Sequence, residues 1–169
     1  MQLITFNIGN ECYAIDTALV VEIIPLITIR PVVSCRDFIR GVIDYRGTVV
    51  PVIDMGLLLE QHPAAKKVST RILVIRYQPG SQAQRLLGLI AERATGIFHV
   101  DSTDIERLET TLARQQFLGG MFNDGDKMVQ VIDPQGAVSQ ALEQALDLPG
   151  MPGNDDTEAR CAPTADRAD

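Results

Sequence analysis

The sequence predicts a mainly β protein built from two copies of a small β-barrel, with a few short helices. Hydrophobic residues make up 46% of the 169 residues and aromatic residues only 5%, so the core must consist of Val, Ile and Leu, which favour strands. Short runs with strand-like alternation are separated by turn residues along most of the chain. In addition, one 17-residue pattern occurs twice.

The repeated pattern is the strongest indication of the architecture. The stretch "FIRGVIDYRGTVVPVID" (38–54) aligns without a gap with "FLGGMFNDGDKMVQVID" (117–133), at an offset of 79 residues. A repeat of this length is too long for a solenoid unit and suits a duplicated small barrel, which removes its sheet edges by closure. Each half is small, so we expect the two to pack through a shared apolar core. The alternative is that two similar hairpins arose by chance.

The first half is predicted to open with a hairpin and to continue through two short helices. Asp16 or Thr17 can cap a helix over "TALVVEII", which Pro25 ends. Asp54 can cap a helix through "GLLLEQH", which Pro63 ends. Strands or extended segments are expected at 3–8, 12–15, 27–33 and within the hairpin 41–54.

The second half repeats this plan. Strands are expected at 69–77, 85–100 and in the hairpin 117–133, and Thr103 with Glu106 has the spacing of a capping box that begins a short helix. Asp133 can cap a final helix that starts at Pro134 and runs to about Leu148. Its apolar stripe is Val138, Ala141, Leu142 and Ala145. Residues 149–169 lose nearly all large apolar side chains and are predicted to be a disordered tail.

Composition and charge exclude several classes of function. The net charge of −7 argues against nucleic-acid binding and against an anionic membrane surface. No apolar run is long enough for a transmembrane helix, and the N-terminus does not have the pattern of a signal peptide, so a cytoplasmic location is expected. Cys12, Cys35 and Cys161 show no metal-site or disulfide spacing.

No residue set in the sequence predicts catalysis, a metal or a cofactor. His62 follows a predicted helix and His99 follows an apolar run, and neither has a nucleophile beside it. Asp16, Asp54 and Asp133 are explained as helix caps. An enzyme that uses the Cys35 thiol is kept as the weakest hypothesis, after the two binding functions described below.

The order of the motifs resembles the CheW family of chemosensory coupling proteins over about residues 2–146. The stretches that carry the resemblance are "FNIGNECYAIDTALVVEII", "FIRGVIDYRGTVVPVIDM", "QRLLGLIAERATGIF" and "FLGGMFNDGDKMVQVID". The most specific is "GVIDYRGTVVPVID", similar to the family signature G-V-x-N-L-R-G-x-x-x-P-V-x-D. The resemblance implies two SH3-like five-stranded barrels around a common hydrophobic core. The domain would span 1–148, with halves of roughly 12–66 and 67–136, and an exchange of the N-terminal strand between the halves is left open.

The resemblance also implies a function. Such a protein is a non-catalytic adaptor that links the cytoplasmic tip of a methyl-accepting chemoreceptor to the regulatory domain of a CheA-type histidine kinase, at the membrane-associated receptor array. The kinase domain has the same fold, so the two can alternate in rings. The alternative is a small β-barrel module that binds peptides outside chemosensory signalling.

Six residues are implied to lie near a receptor groove between the barrels: Val20, Glu22, Gly41, Arg46, Gly88 and Ile97. From the residues alone, Glu22 could equally lie on a solvated helix face and Arg46 could be a plain turn residue. Asp44 and Tyr45 depart from the signature's Asn-Leu, "AERATGI" departs in the second half, and the segment 100–117 is short. These departures suggest a coupler of an alternative chemosensory system, such as one that controls surface attachment.

Overall fold

Among the residues that the structure describes, strands dominate and the helices are short. The structure, a computed structural model, describes residues 1–33, 36–78, 80–101, 103–106 and 118–146. In chain order its elements are β1 (Gln2–Ile8), β2 (Glu11–Asp16), a 3-10 turn (Thr17–Leu19), β3 (Val20–Pro25), β4 (Ile39–Tyr45), β5 (Thr48–Asp54), α1 (Met55–Leu59), β6 (Arg71–Tyr77), β7 (Arg85–His99), β8 (Leu118–Asp124), β9 (Lys127–Ile132) and α2 (Pro134–Leu146). This confirms the predicted mainly β class with short helices, including one near the C-terminus.

Strand pairing divides the sheet into two sets of five that share β7. The first unit runs β3, β6, the N-terminal half of β7, β5, β4, and the second unit runs the C-terminal half of β7, β1, β2, β9, β8. Both units show the same sequence of pairings, which is antiparallel, antiparallel, parallel, antiparallel. The repeat seen in the sequence is therefore a repeat of topology.

In each unit, an isolated β-bridge joins the last strand to the segment that follows the first strand. In the first unit Arg30 and Val42 exchange two backbone hydrogen bonds of 2.9 Å, and in the second Glu106 and Met121 do so at 2.8 and 2.9 Å. These bridges cover strand edges that would otherwise be open to other chains. Closure of each unit into an SH3-like barrel stays a prediction that the bridges support.

The core has three parts. One cluster fills the first unit, another fills the second, and the largest lies between them. β7 contributes to both sides of the first unit, because Leu87 and Leu89 face the shared cluster while Ile90 faces the first unit's interior. The units therefore pack through a shared apolar core, as predicted.

The structure corrects the predicted division at residues 66 and 67. β6 pairs with β3 and β7 and so belongs to the first unit, whereas β2 pairs with β1 and β9 and belongs to the second. The strands of the first unit thus begin at Val20 and reach Ala91 in β7, and those of the second unit are β1, β2, β7 from Glu92 onward, β8 and β9. Hydrophobic patterning identified the strands, but pairing between distant strands decided the boundary.

The predicted helix over 17–24 is wrong. Asp16 caps as expected, because its Oδ1 accepts from the Ala18 N–H at 2.9 Å, but only a 3-10 turn follows. The β-branched residues after Leu19 form β3, which pairs with β6. Valine and isoleucine lose side-chain freedom in a helix and pack well on a pleated sheet, so the available partner strand prevails.

Two other local predictions also need correction. α1 ends at Leu59 rather than near Pro63, and Gln61 then adopts a positive φ of 60°. Residues 103–106 form a turn and a bridge instead of a capped helix. The caps at Asp54 and Asp133 are confirmed. The predictions for Cys35, Cys161, Phe117, Leu148 and the tail 149–169 fall outside the described residues.

Candidate protein-docking site

The turn between β4 and β5 holds Arg46 in an unusual backbone conformation. Arg46 and Gly47 have φ values of 52° and 81°, and positive φ at both central residues is the mark of a type I′ hairpin turn. The Asp44 carboxylate supports the turn by accepting the Gly47 N–H at 2.7 Å. Arginine is rarely found in this region of φ, because its Cβ crowds the backbone there. Such strain often accompanies a functional position.

Glu22 reaches this turn from β3, the strand at the other end of the first unit's strand order. Its Oε2 accepts a hydrogen bond from the Arg46 guanidinium at 2.8 Å and another from the Tyr45 hydroxyl at 2.5 Å. The guanidinium carbon also lies 5.2 Å from the centroid of the Tyr45 ring, within the range of a cation–π contact. We refer to Glu22, Tyr45 and Arg46 as the Glu22 cluster.

The Glu22 cluster is open to solvent. The Arg46 side chain is 73% exposed and the Glu22 side chain 36% exposed. An ion pair in that setting stabilises a fold by less than about 1 kcal/mol, because water and salt screen it. Its groups are therefore available to a partner at little cost to folding.

The hydroxyl of Tyr45 titrates differently from that of a free tyrosine. Its hydrogen bond to the Glu22 carboxylate, with a smaller contribution from desolvation, raises the pKa of Tyr45, while the Arg46 charge opposes the rise. The neutral phenol is thus favoured as a donor to Glu22.

Two of the six predicted site residues are packing glycines. Gly41 is buried with φ 137°, and a Cβ there would lie 2.0 Å from the Arg30 carbonyl oxygen. A Cβ on Gly88 would lie 3.0 Å from Ile72 Cγ2 inside the first unit. Both glycines shape the first unit from within rather than offering a surface.

Val20 and Ile97 are the apolar members of the set. Val20 begins β3 and is partly buried against the shared core. Ile97 lies in the second unit, opposite Ile4, and is 64% exposed. The structure joins Glu22 and Arg46 by direct contact and places Ile97 on the other unit.

Sequence reasoning missed Tyr45 as a member of the site. The available signal was an aromatic residue immediately before Arg46 at the end of β4. Exposed valines flank the Glu22 cluster along the chain, namely Val21 on β3 and Val49 on β5. Aromatic residues and arginine are enriched at protein interfaces, so Tyr45 beside Arg46 is the feature that favours docking.

The described residues contain no group of three or more His, Cys, Asp or Glu side chains that could hold a metal ion. His99 contacts the Gln2 amide at 2.8 Å on the surface. Burial raises the pKa of the Cys12 thiol, which disfavours the reactive thiolate. Across the part of the chain that the structure covers, no helix is long and apolar enough to cross a membrane.

Comparison with known proteins identifies the family. The family model described as CheW-like domain matches residues 2–142. The chain belongs to the CheW-like family.

Named members of the family are similar to this chain over most of their length. It is 27% identical over 148 residues to the chemotaxis protein CheW of Klebsiella aerogenes, covering 86% of this chain and 85% of that protein. It is 29% identical over 133 residues to the chemotaxis protein CheW of Helicobacter pylori, covering 78% of each.

A solved structure supports the fold. The scaffolding protein TtCheW from Thermoanaerobacter tengcongensis matches with a TM-score of 0.71 at 23% identity, over 80% of this chain and 86% of that chain. At this identity the likeness concerns the fold alone. The CheW-like assignment predicted from the sequence motifs is thereby confirmed, while the roles of the six site residues stay predictions.

Proposed function

We propose that this protein is a non-catalytic coupling protein of a chemosensory array. In this role it links the cytoplasmic tip of a methyl-accepting chemoreceptor to the regulatory domain of a CheA-type histidine kinase. The observation that carries the proposal is the solvent-accessible ion pair between Glu22 of β3 and Arg46 of the signature hairpin in a CheW-like domain. The relatives named chemotaxis protein and scaffolding protein support the same reading.

The chemistry of the site suits docking rather than catalysis. Arginine offers five donors in a fixed plane and is enriched among the residues that dominate binding energy at interfaces. Here the I′ turn places Arg46 outside the sheet, and Glu22 prevents its charge from being unpaired in the free protein. A receptor helix that presents carboxylate or carbonyl oxygens beside small apolar side chains would fit this surface.

The remaining elements of the proposal concern the assembly. The kinase regulatory domain would bind elsewhere on the two units, so that receptor and kinase are held together in the cytoplasm at the array. The acidic net charge of −7 disfavours nucleic acid and an anionic membrane surface as partners. The departure at Asp44 and Tyr45 favours a partner set other than that of a flagellar chemotaxis coupler.

Co-sedimentation of the purified protein with receptor signalling domains and kinase tests the proposal. Arg46→Ala and Glu22→Lys should each weaken receptor association about tenfold or more without loss of folded structure by circular dichroism. Lys127→Ala is the matched control, because Lys127 is an exposed cation at the turn of the equivalent hairpin in the second unit.

A double variant separates partner recognition from local support. Glu22→Lys combined with Arg46→Glu can restore an ion pair in the free protein while reversing its orientation. If the receptor recognises these side chains, the double variant stays defective. Full recovery by the double variant, or normal binding by both single variants, would contradict the proposed site. Absence of wild-type association, with retained binding to unrelated peptides, would favour the peptide-binding module instead.

A further inference from the structure

We infer that Tyr45 is a positioning residue of the docking site, which holds Glu22 and Arg46 in one arrangement before a partner binds. This inference rests on the proposed function for its docking consequence. The arrangement itself rests on contacts within the protein and can be tested without any partner.

The position of the Tyr45 ring is fixed by the fold. Tyr45 is the last residue of β4 and pairs with Thr48 across the turn. Tyr45 is partly buried and packs against the cluster of buried apolar side chains inside the first unit. A ring held by the core can place its hydroxyl at a defined point on the surface, which a flexible side chain cannot do.

The hydroxyl and the ring act on different members of the Glu22 cluster. The hydroxyl donates to Glu22 Oε2 at 2.5 Å, so the carboxylate is held on the side of the turn. The ring face lies under the Arg46 guanidinium, whose carbon is 5.2 Å from the ring centroid. The carboxylate then accepts from Arg46 at 2.8 Å, which closes a three-residue cycle of contacts.

This cycle has a consequence for binding. An exposed arginine samples many rotamers, and ordering it opposes association. Contacts to Tyr45 and Glu22 restrict those rotamers in the free protein, so less conformational entropy is lost when a partner docks. The leucine of the family signature has neither a hydroxyl nor an aromatic ring and cannot supply either contact, so this chain presents Arg46 more rigidly than the signature predicts.

The first experiment is an ultraviolet titration of tyrosine in the free protein. Subtracting the curve of Tyr45→Phe isolates Tyr45, whose midpoint should lie above the ordinary value of about 10. In Glu22→Gln that midpoint should fall, because the anionic acceptor is gone, while Arg46 remains beside the ring and lowers it further. An ordinary midpoint in the wild type, or one unchanged by Glu22→Gln, would overturn the positioning role.

The second experiment measures receptor-domain affinity by calorimetry. Tyr45→Phe removes only the hydroxyl and should weaken binding about three- to tenfold, and Tyr45→Leu, which also removes the ring, should weaken it further. Tyr77→Phe is the matched control, since Tyr77 is a partly buried tyrosine at the end of β6.

The outcomes separate this inference from the proposed function. Wild-type binding with undiminished affinity in Tyr45→Phe and Tyr45→Leu would refute the docking role of Tyr45 and leave the proposed function standing. Failure of the wild type to bind, with receptor domains shown to be folded, would refute the proposed function and the docking role together. In that case the titration still decides whether Tyr45 positions Glu22.

Discussion

The hairpins β4–β5 and β8–β9 are two versions of one structure. In each hairpin the strand register shifts just before a glycine with positive φ. These glycines are Gly41, with φ 137°, and Gly120, with φ 143°. Each hairpin ends in an aspartate that caps the following helix. The second strand of each hairpin also forms the parallel pairing of its unit, with Val52 opposite Gly88 and Val131 opposite Ala14.

The hairpins differ at the turn. The first places Arg46 and Gly47 at its centre, both with positive φ, whereas the second places Gly125 at the position of Arg46. Glycine adopts that conformation without steric cost, so the second turn is built for folding alone. Features common to both hairpins therefore serve the fold, whereas the arginine in the strained position of one copy requires another explanation.

The largest expected effect is on the two bulge glycines. Gly41→Ala places a Cβ 2.0 Å from the Arg30 carbonyl oxygen, a backbone atom that cannot move aside without breaking the bridge to Val42. We expect a loss of about 3 kcal/mol or more in the free energy of unfolding, measured by urea denaturation. Gly120→Ala should reduce the free energy of unfolding by less, because the nearest atom at 2.5 Å belongs to the Ile105 side chain and the nearest backbone atom, the Glu106 carbonyl oxygen, lies 2.9 Å away. A larger loss in Gly120→Ala than in Gly41→Ala would contradict this steric explanation.

The second comparison concerns the two capping aspartates. Asp54 is 3% exposed, and its Oδ1 accepts from the N–H groups of Gly56, Leu57 and Ala64. Asp54→Ala leaves buried donors without a partner and should cost about 2–3 kcal/mol. The exposed Asp133 accepts from Gln135 and Gly136 only at the helix start, so Asp133→Ala should cost about 1 kcal/mol. Equal losses in urea denaturation would contradict this difference in burial.

The third prediction tests the junction between the units. Tyr13 of β2 donates a hydrogen bond to Glu60, the residue that follows α1. Burial, and to a smaller extent this hydrogen bond, raises the pKa of Tyr13. The neutral phenol is therefore favoured in the folded state. Its contribution is complete below the unfolded pKa of about 10 and is lost as pH rises beyond it.

Tyr13→Phe should accordingly cost about 1 kcal/mol near neutral pH and reduce the loss of stability between pH 9 and 11. Urea denaturation across that pH range checks both effects. The Tyr77→Phe variant serves as a control for the general titration of tyrosines. An unchanged pH dependence in Tyr13→Phe would show that Tyr13 does not link the units in this way.

The smallest expected effect on stability is at Arg46. Arg46→Gly relieves the strain of a positive φ, but it removes an exposed ion pair and increases the conformational entropy of the unfolded chain. The free energy of unfolding should therefore change by less than about 1 kcal/mol. Receptor association should nevertheless fall about tenfold or more. A loss of stability comparable to that of Gly41→Ala would place Arg46 among the residues that serve the fold.

Much of the local structure could be predicted from the sequence. Strand alternation, the repeat at 79 residues and the aspartates before apolar runs predicted the hairpins and the caps, since these depend on neighbours along the chain. The helix predicted over 17–24 was wrong because its residues from Val20 onward pair with β6, about 50 residues away in the chain. A short local pattern carries no information about such a distant partner. The boundary between units failed for the same reason.

The site was predictable only in part. Glu22 and Arg46 were identified through the family signature, and the contact between them became visible only when β3 and the β4–β5 turn came together. Tyr45 was identified as a difference from the family signature. Its role depends on the hydrogen bond that its hydroxyl, on β4, donates to Glu22 on β3. Gly41 and Gly88 were expected at the groove, whereas their surroundings explain them through close packing.

The shared strand β7 also bears on how the protein is made. The first unit is continuous in the chain, while the second is completed by strands from both ends of the domain. During synthesis, β1 and β2 emerge first but cannot pair with β9 until residue 132 has left the ribosome. Until then β2 is paired with β1 alone and lacks its second neighbouring strand, so the second unit is completed only after the whole first unit has been synthesised.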